Sequence, residues 1–292
     1  MQVKQMNHRP MRVAAIHDLS GFGRCSLTVI LPVLSAMGVQ ACPVPTAVFS
    51  THLGGLGEVA YRDLTDFMEP ALAHYRQLDI GFEAIYSGFL STEDQIGHCL
   101  AFLESYPDAL AVVDPVMGDH GKPYKSHPPA LQLRMRDLVR EADVITPNLT
   151  EAAMLLDQDF PSFPITRAQG KSMLVRLSEL GPEKVVITGV KLATGEMANI
   201  GYDREKNAFW AVDCDYVPVS YPGTGDIFAS VLTGGMLTGD SLPMAMDRAS
   251  RFVELAIKTT FGYGSDTRYG VMLEMCLPEL MSREVPHRYH IF

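Results

Sequence analysis

Residues 218–235 read PVSYPGTGDIFASVLTGG, and Gly223-Thr224-Gly225-Asp226 stand at the mouth of the apolar part. Ile227, Phe228, Val231 and Leu232 follow at helical spacing with small residues between them, while Pro222 and Gly223 break whatever precedes. The stretch reads as a glycine-rich turn feeding a buried helix. A helix N-terminus carries unpaired N–H groups and the positive end of the helix dipole, which suits an anion such as phosphate. Glycines let the backbone come close to that anion. Asp226 is then out of place, because a carboxylate repels phosphate. One reading makes it a plain helix cap and dipole partner. The other makes it a proton acceptor for a group that attacks the phosphate.

More groups of this kind follow apolar runs. ALAVVDP (109–115) ends in Asp114, and after a turn through Pro115 and Gly118 comes Asp119. TPNLTEA (146–152) sets Asn148 and Glu151 three apart across a helix start. That spacing is a capping box, a role compatible with holding metal-bound water. VVITG (185–189) brings Thr188 to the end of another run. In open parallel sheets ligands sit at the carboxyl ends of the strands. Reading each run to its end gives His17-Asp18, Ser87-Gly88, Asp114-Pro115, Thr146-Pro147-Asn148 and Thr188-Gly189, which points to one functional edge. Together these groups supply what phosphoryl transfer needs. Carboxylates hold water around Mg²⁺, hydroxyls and a helix N-terminus hold phosphates, and one carboxylate, Asp226, takes the proton of an alcohol.

The elements that must position these residues alternate along the chain. RVAAIH (12–17), EAIYSG (83–88), ALAVVDP (109–115), ADVITPN (142–148) and EKVVITG (183–189) read as strands. Helical patterns fall at about 26–37, 95–106, 129–141, 149–156 and 167–180. Such alternation predicts an α/β domain with a mainly parallel central sheet and helices on both faces. EMANIGYD and NAFWAVDCDYVPV, turning at DREKN (203–207), predict an antiparallel hairpin added late. CPVPTAVFSTHLGG (42–55) suits a strand leading into a mobile flap. No linker divides the chain, so residues 1–11 are expected to be a loose tail and 12–292 one domain.

Bulk properties narrow the classes. A net charge of −10 over 292 residues argues against nucleic acid or an anionic membrane as partner. The run LTVILPVLSAMGV (27–39) is too short to span a bilayer and is interrupted by Pro32. MQVKQMNHRPM has no apolar secretory core. Cys25, Cys42, Cys99, Cys214 and Cys276 are scattered and never spaced as CxxC, which suits free thiols in a reducing cytoplasm rather than a zinc site.

PGTGDIFASVLTG resembles the GTGD signature of the ribokinase-like superfamily, and DPVMGD, TPNLTEA and VVITG occur in the order found in pyridoxal kinases. FSTHLGG is similar to their FSNHTGY-type flap and YSGFLS to their SGY segment. The resemblance runs from about residue 12 to about 265. It implies a three-layer sandwich that phosphorylates the 5′-hydroxymethyl group of pyridoxal, pyridoxine and pyridoxamine with ATP and Mg²⁺, often with K⁺, usually as a homodimer. By motif, Asp226 would be the catalytic base, with the amides of Gly223, Thr224 and Gly225 as the anion hole. Asp119, Thr146, Asn148 and Thr188 would lie around the ATP phosphates, and Asp114, Asp119 and Glu151 around the metal. Asp18, Thr46, His52 and Phe89 would line the vitamin pocket, with Tyr124 on the loop covering the reactants. The chain departs from the pattern at Asp18-Leu19, where pyridoxal kinases usually carry Ser-His. HDLSGFG there resembles the TDPSGG stretch of hydroxymethylpyrimidine kinases, which makes that activity the near alternative. A non-catalytic vitamin- or nucleotide-binding regulator is the distant one. Asp18 is expected to face the substrate ring and to favour the amine form, pyridoxamine.

Overall fold

Successive side chains of a strand point to opposite faces of its sheet, so a run apolar at every position belongs between two layers. A computed structural model describes residues 9–161, 164–215, 217–282 and 284–292. In it β1 (Arg12–Phe22) sends Ala14 and Ile16 into one core and Val13 and Ala15 into the other, all fully buried.

Around β1 the chain lays down α1 (Leu27–Ala36), β2 (Gln40–Thr51), β3 (Tyr61–Asp63), α2 (Thr65–Gln77), β4 (Ala84–Ser87) and α3 (Glu93–Ser105). Next come β5 (Leu110–Val113), a small hairpin of β6 (Gly118–Asp119) and β7 (Lys122–Pro123), α4 (Pro129–Arg140), β8 (Val144–Ile145), α5 (Leu149–Leu155) and α6 (Arg167–Glu179). The last part holds β9 (Lys184–Lys191), β10 (Met197–Asp203), β11 (Ala208–Cys214), α7 (Thr224–Leu237), α8 (Leu242–Tyr263) and β12 (Tyr289–Ile291). Apart from β6 and β7, the strands form one ten-stranded sheet in the order β12-β11-β10-β9-β8-β5-β4-β1-β2-β3. From β2 through β9 the pairings are parallel, and toward both edges they turn antiparallel. Helices α2 to α6 cover one face, with Phe102, Met135 and Leu174 in its core. Helices α1, α7 and α8 cover the other through Ile30, Val231 and Phe252. This is the expected three-layer α/β architecture, and the hairpin predicted near 203–207 is β10–β11.

The structure differs from the sequence reading at several boundaries. Strand β1 runs on past His17 to Phe22, because β2 keeps pairing with it as far as Thr51. One extra residue of β2 falls between the pairs His17↔Pro45 and Leu19↔Val48, a β-bulge that bends the strands and re-aims the side chains around it. Asp18 therefore lies within a strand rather than at its end. The edge strands β3 and β12, three residues each, lack enough length to show a period. Of the tail expected over 1–11, residues 1–8 lie outside the described residues, while Arg9 forks onto Glu83 at 2.7 and 3.0 Å. No helix among the described residues is long and apolar enough to cross a membrane.

Candidate active site

Gly223 is the N-cap of α7, with φ 81° and ψ −2°, a left-handed conformation that costs an L residue. A Cβ there would land on the carbonyl oxygen of Arg24 and within 2.9 Å of Cys25 Cα. The turn thus packs backbone against backbone on the loop that follows β1. The first N–H groups of α7 have no carbonyl four residues earlier to bond, and they open into a cavity of about 1000 Å³ lined by Gly223, Thr224, Gly225 and Asp226.

Asp226 stands in that wall and accepts a hydrogen bond from the Ser26 N–H at 2.8 Å. Its own carbonyl accepts from Ser230 Oγ at 2.6 Å. Burial pushes its carboxyl up to about 7, with the charge of Asp18 adding to the rise and the Ser26 bond opposing it.

The same cavity is lined by Asp114, Asp119, Thr146, Asn148, Glu151 and Thr188. Asp114, 6% exposed at the end of β5, has its pKa raised by burial and then by the charge of Asp226. Asn148 and Glu151 form the capping box of α5. Glu151 Oε2 accepts from the Asn148 N–H at 2.9 Å, and Oε1 from the Met117 N–H at 3.1 Å. Even so, burial and the charge of Asp114 push the Glu151 carboxyl well up. Asn148 Nδ2 also donates to the Gly118 carbonyl at 2.9 Å, which fixes the base of the β6–β7 hairpin. Asp119 is held by the His120 N–H at 2.7 Å. Lys191 and His120 are the basic side chains in the lining.

A metal fits this donor set on one observation: Asp114 and Glu151 are buried carboxylates, the charge of Asp226 raising the pKa of Asp114 and the charge of Asp114 raising that of Glu151, which leaves a deficit of positive charge among oxygen donors. Oxygen donors suit a hard cation such as Mg²⁺. Among the described residues no three His, Cys, Asp or Glu side chains are grouped as ready ligands. Glu151 already gives both oxygens to backbone N–H groups, so its contact with a cation would pass through water.

Asp18, Thr46, His52 and Phe89 are not in the lining of this cavity. Asp18, 4% exposed, accepts from Ser26 Oγ at 2.5 Å and Ser20 Oγ at 3.0 Å. Serine hydroxyls engage both of its oxygens, so it stands one residue behind the wall that carries Asp226. His52 donates from Nε2 to the Arg268 carbonyl at 2.5 Å, and its Nδ1 accepts the Gly54 N–H at 2.9 Å. Both ring nitrogens thereby serve the turn after β2. Thr46 Oγ1 donates to the Phe89 carbonyl at 3.2 Å. Phe89 stacks edge-on against His127, and His127 lies 6.1 Å from Tyr124. Tyr124 is in the cavity lining, so an aromatic row leads from Thr46 into the cavity.

Sequence reasoning missed Ser26, because a backbone N–H donor leaves no mark in residue type. It missed His127 as well, since a lone histidine in KSHPP carries no pattern.

Comparison with known proteins adds to this geometry. The model of a family described as phosphomethylpyrimidine kinase matches residues 31–270. A solved protein of Bacteroides thetaiotaomicron, provisionally named a phosphomethylpyrimidine kinase, superposes with a TM-score of 0.94 at 43% identity, covering 99% of this chain and 100% of that one. Its crystal form with pyridoxal gives a TM-score of 0.92, covering 97% and 100%. Pyridoxal kinase from Lactobacillus plantarum gives a TM-score of 0.85 at 30% identity, over 94% of this chain and 97% of its own. A hydroxymethylpyrimidine/phosphomethylpyrimidine kinase of Mycobacterium bovis is 26% identical, covering 87% of this chain and 91% of its own.

Proposed function

The chain belongs to the phosphomethylpyrimidine kinase family, and from that premise we propose that it transfers the γ-phosphoryl group of ATP to the 5′-hydroxymethyl group of pyridoxal, pyridoxine or pyridoxamine. The observation that carries the reading is the place of Asp226. It sits in the first turn of α7 beside the open N–H groups, held by Ser26, with a carboxyl pushed up to about 7. A base is most effective when its pKa lies near the working pH.

The residues divide the work. The N–H groups at the start of α7 hold the γ-phosphoryl oxygens and the charge that develops on them. Asp226 takes the proton of the hydroxymethyl group as its oxygen bonds to the γ-phosphorus and the bond to the ADP oxygen breaks. Thr146, Asn148 and Thr188 face the phosphates. Asp114, Asp119 and Glu151 would hold Mg²⁺, in part through water, and the ion would supply charge neutralisation at the phosphates. Thr46, Phe89, His127 and Tyr124 are the walls proposed for the vitamin ring. The pyridoxal-containing crystal form of the 43% identical relative supports that choice of ring.

The second reading keeps the chemistry and changes the ring to hydroxymethylpyrimidine. The family match and the relative from Mycobacterium bovis favour it. ATP-coupled turnover of pyridoxal, pyridoxamine and hydroxymethylpyrimidine in parallel separates the two. The proposal expects the highest kcat/KM on a B6 vitamer, and a clear preference for hydroxymethylpyrimidine would install the second reading.

Two further outcomes follow from the site. Asp226 works only when deprotonated, so kcat/KM should rise as pH increases through about 7 and level off above it. A flat profile from pH 5.5 to 8.5, a range of about three units spanning the usual reach of such a base, would remove the base assignment. Glu151→Gln should raise the Mg²⁺ concentration needed for half-maximal rate more than it raises the KM of the vitamin. A lower Tm with unchanged Mg²⁺ dependence would leave Glu151 with its capping role alone.

A further inference from the structure

Ser26 stands where two carboxylates meet. Its backbone N–H donates to Asp226 Oδ2 at 2.8 Å, and its hydroxyl donates to Asp18 Oδ1 at 2.5 Å. The other oxygen of Asp18 is occupied by Ser20 Oγ at 3.0 Å. Ser26 is the N-cap residue of α1, yet its side chain makes no capping bond to that helix. Its backbone has φ 49° and ψ −136°, a region that L residues seldom enter. Residues held in such conformations persist only where their surroundings fix them. Here the surroundings are the two carboxylates, one gripping the side chain and one gripping the N–H, together with the Val29 and Ile30 N–H groups that bond the Ser26 carbonyl. Asp226 Oδ1 accepts no hydrogen bond among the described residues, so it is the oxygen left for an alcohol.

We infer that Ser26 is a positioning residue for phosphoryl transfer: the chain Ser20–Asp18–Ser26 fixes the Ser26 N–H against Asp226 Oδ2 and so aims Asp226 Oδ1 at the hydroxyl to be phosphorylated. This rests on Asp226 being the base. Asp18 thereby acts through Ser26, without touching substrate. The same loop carries Arg24 and Cys25, against which Gly223 is packed. Ser26 therefore registers the base and the anion-binding turn on one stretch of backbone.

The test compares Ser26→Ala and Ser26→Gly with the wild type and Asp226→Asn, using ATP and the best substrate of the panel. Alanine loses the tether and has no reason to stay at positive φ. Glycine loses the tether but adopts that φ without strain. Ser26→Ala should lower kcat by roughly 10–10²-fold, the scale of a misplacement of about 1 Å, with the KM for ATP and the Tm little changed. Ser26→Gly should recover part of that loss. Wild-type kcat in Ser26→Ala, beside an inactive Asp226→Asn, overturns the positioning role alone. Equal kcat losses in both Ser26 variants, accompanied by lower Tm, overturn it as well and leave Ser26 a structural role. Normal turnover by Asp226→Asn overturns the base assignment itself, and this inference with it.

Discussion

Asp226→Asn is expected to lower kcat by roughly 10²–10⁴-fold, the usual contribution of a positioned general base. Asparagine has the same shape and keeps an oxygen to accept the Ser26 N–H, which Asp226 now bonds at 2.8 Å. What it loses is the ability to take a proton. Folding should survive the change, because a negative charge disappears from a crowded place: the charge of Asp226 raises the pKa of both Asp114 and Tyr86. For the same reason ATP affinity should hold or improve. Steady-state kinetics alongside a melting curve separate the possibilities. Near-normal turnover would restore the plain reading of Asp226 as a residue that serves only the helix end.

Gly223→Ala should damage both stability and catalysis. The new methyl meets the Arg24 carbonyl and Cys25 Cα, which are backbone atoms and cannot rotate aside. The residue must also hold φ 81°. Overpacking of this kind costs about 1–3 kcal/mol, and the left-handed conformation adds roughly 1–2 kcal/mol. The site can relieve the clash only by moving the α7 turn away from the loop that carries Ser26. A fall of several degrees in Tm is expected, with a kcat loss of at least about tenfold, as displaced reacting groups produce. A variant that melts and turns over like the wild type would show that the close approach at Gly223 is not what holds the turn.

Features written in local spacing are legible in the sequence. The turn at 223–226 could be read because its glycines and the apolar period after it mark a turn into a buried helix, whereas the left-handed cap at Gly223 appears only in the fold. The capping box of Asn148 and Glu151 is a three-residue spacing and forms as read. Features that depend on distant partners were not legible. Strand β1 runs past His17 because β2 accompanies it, and the bulge opposite Asp18 depends on how the two strands are matched. That match decides that Asp18 turns to Ser20 and Ser26 rather than lining the cavity. Ser26 is 200 residues from Asp226 along the chain, and its contribution there is an N–H that every residue but proline possesses. The aromatic row from Phe89 through His127 to Tyr124 joins two loops whose neighbourhood only the folded sheet creates.

By this mechanism the cavity moves a phosphoryl group from ATP onto a hydroxymethyl group borne on a small heterocyclic ring. This transfer is tested most directly by a single-turnover reaction with ATP labelled on the γ-phosphate. Wild type and Asp226→Asn are each mixed with pyridoxal or hydroxymethylpyrimidine, and products are separated by chromatography and mass spectrometry. Label should appear in the phosphate ester of the ring compound with the wild-type protein, pyridoxal being the better acceptor, and almost none with Asp226→Asn. Label recovered only as inorganic phosphate, or ATP left intact with both acceptors, would contradict it.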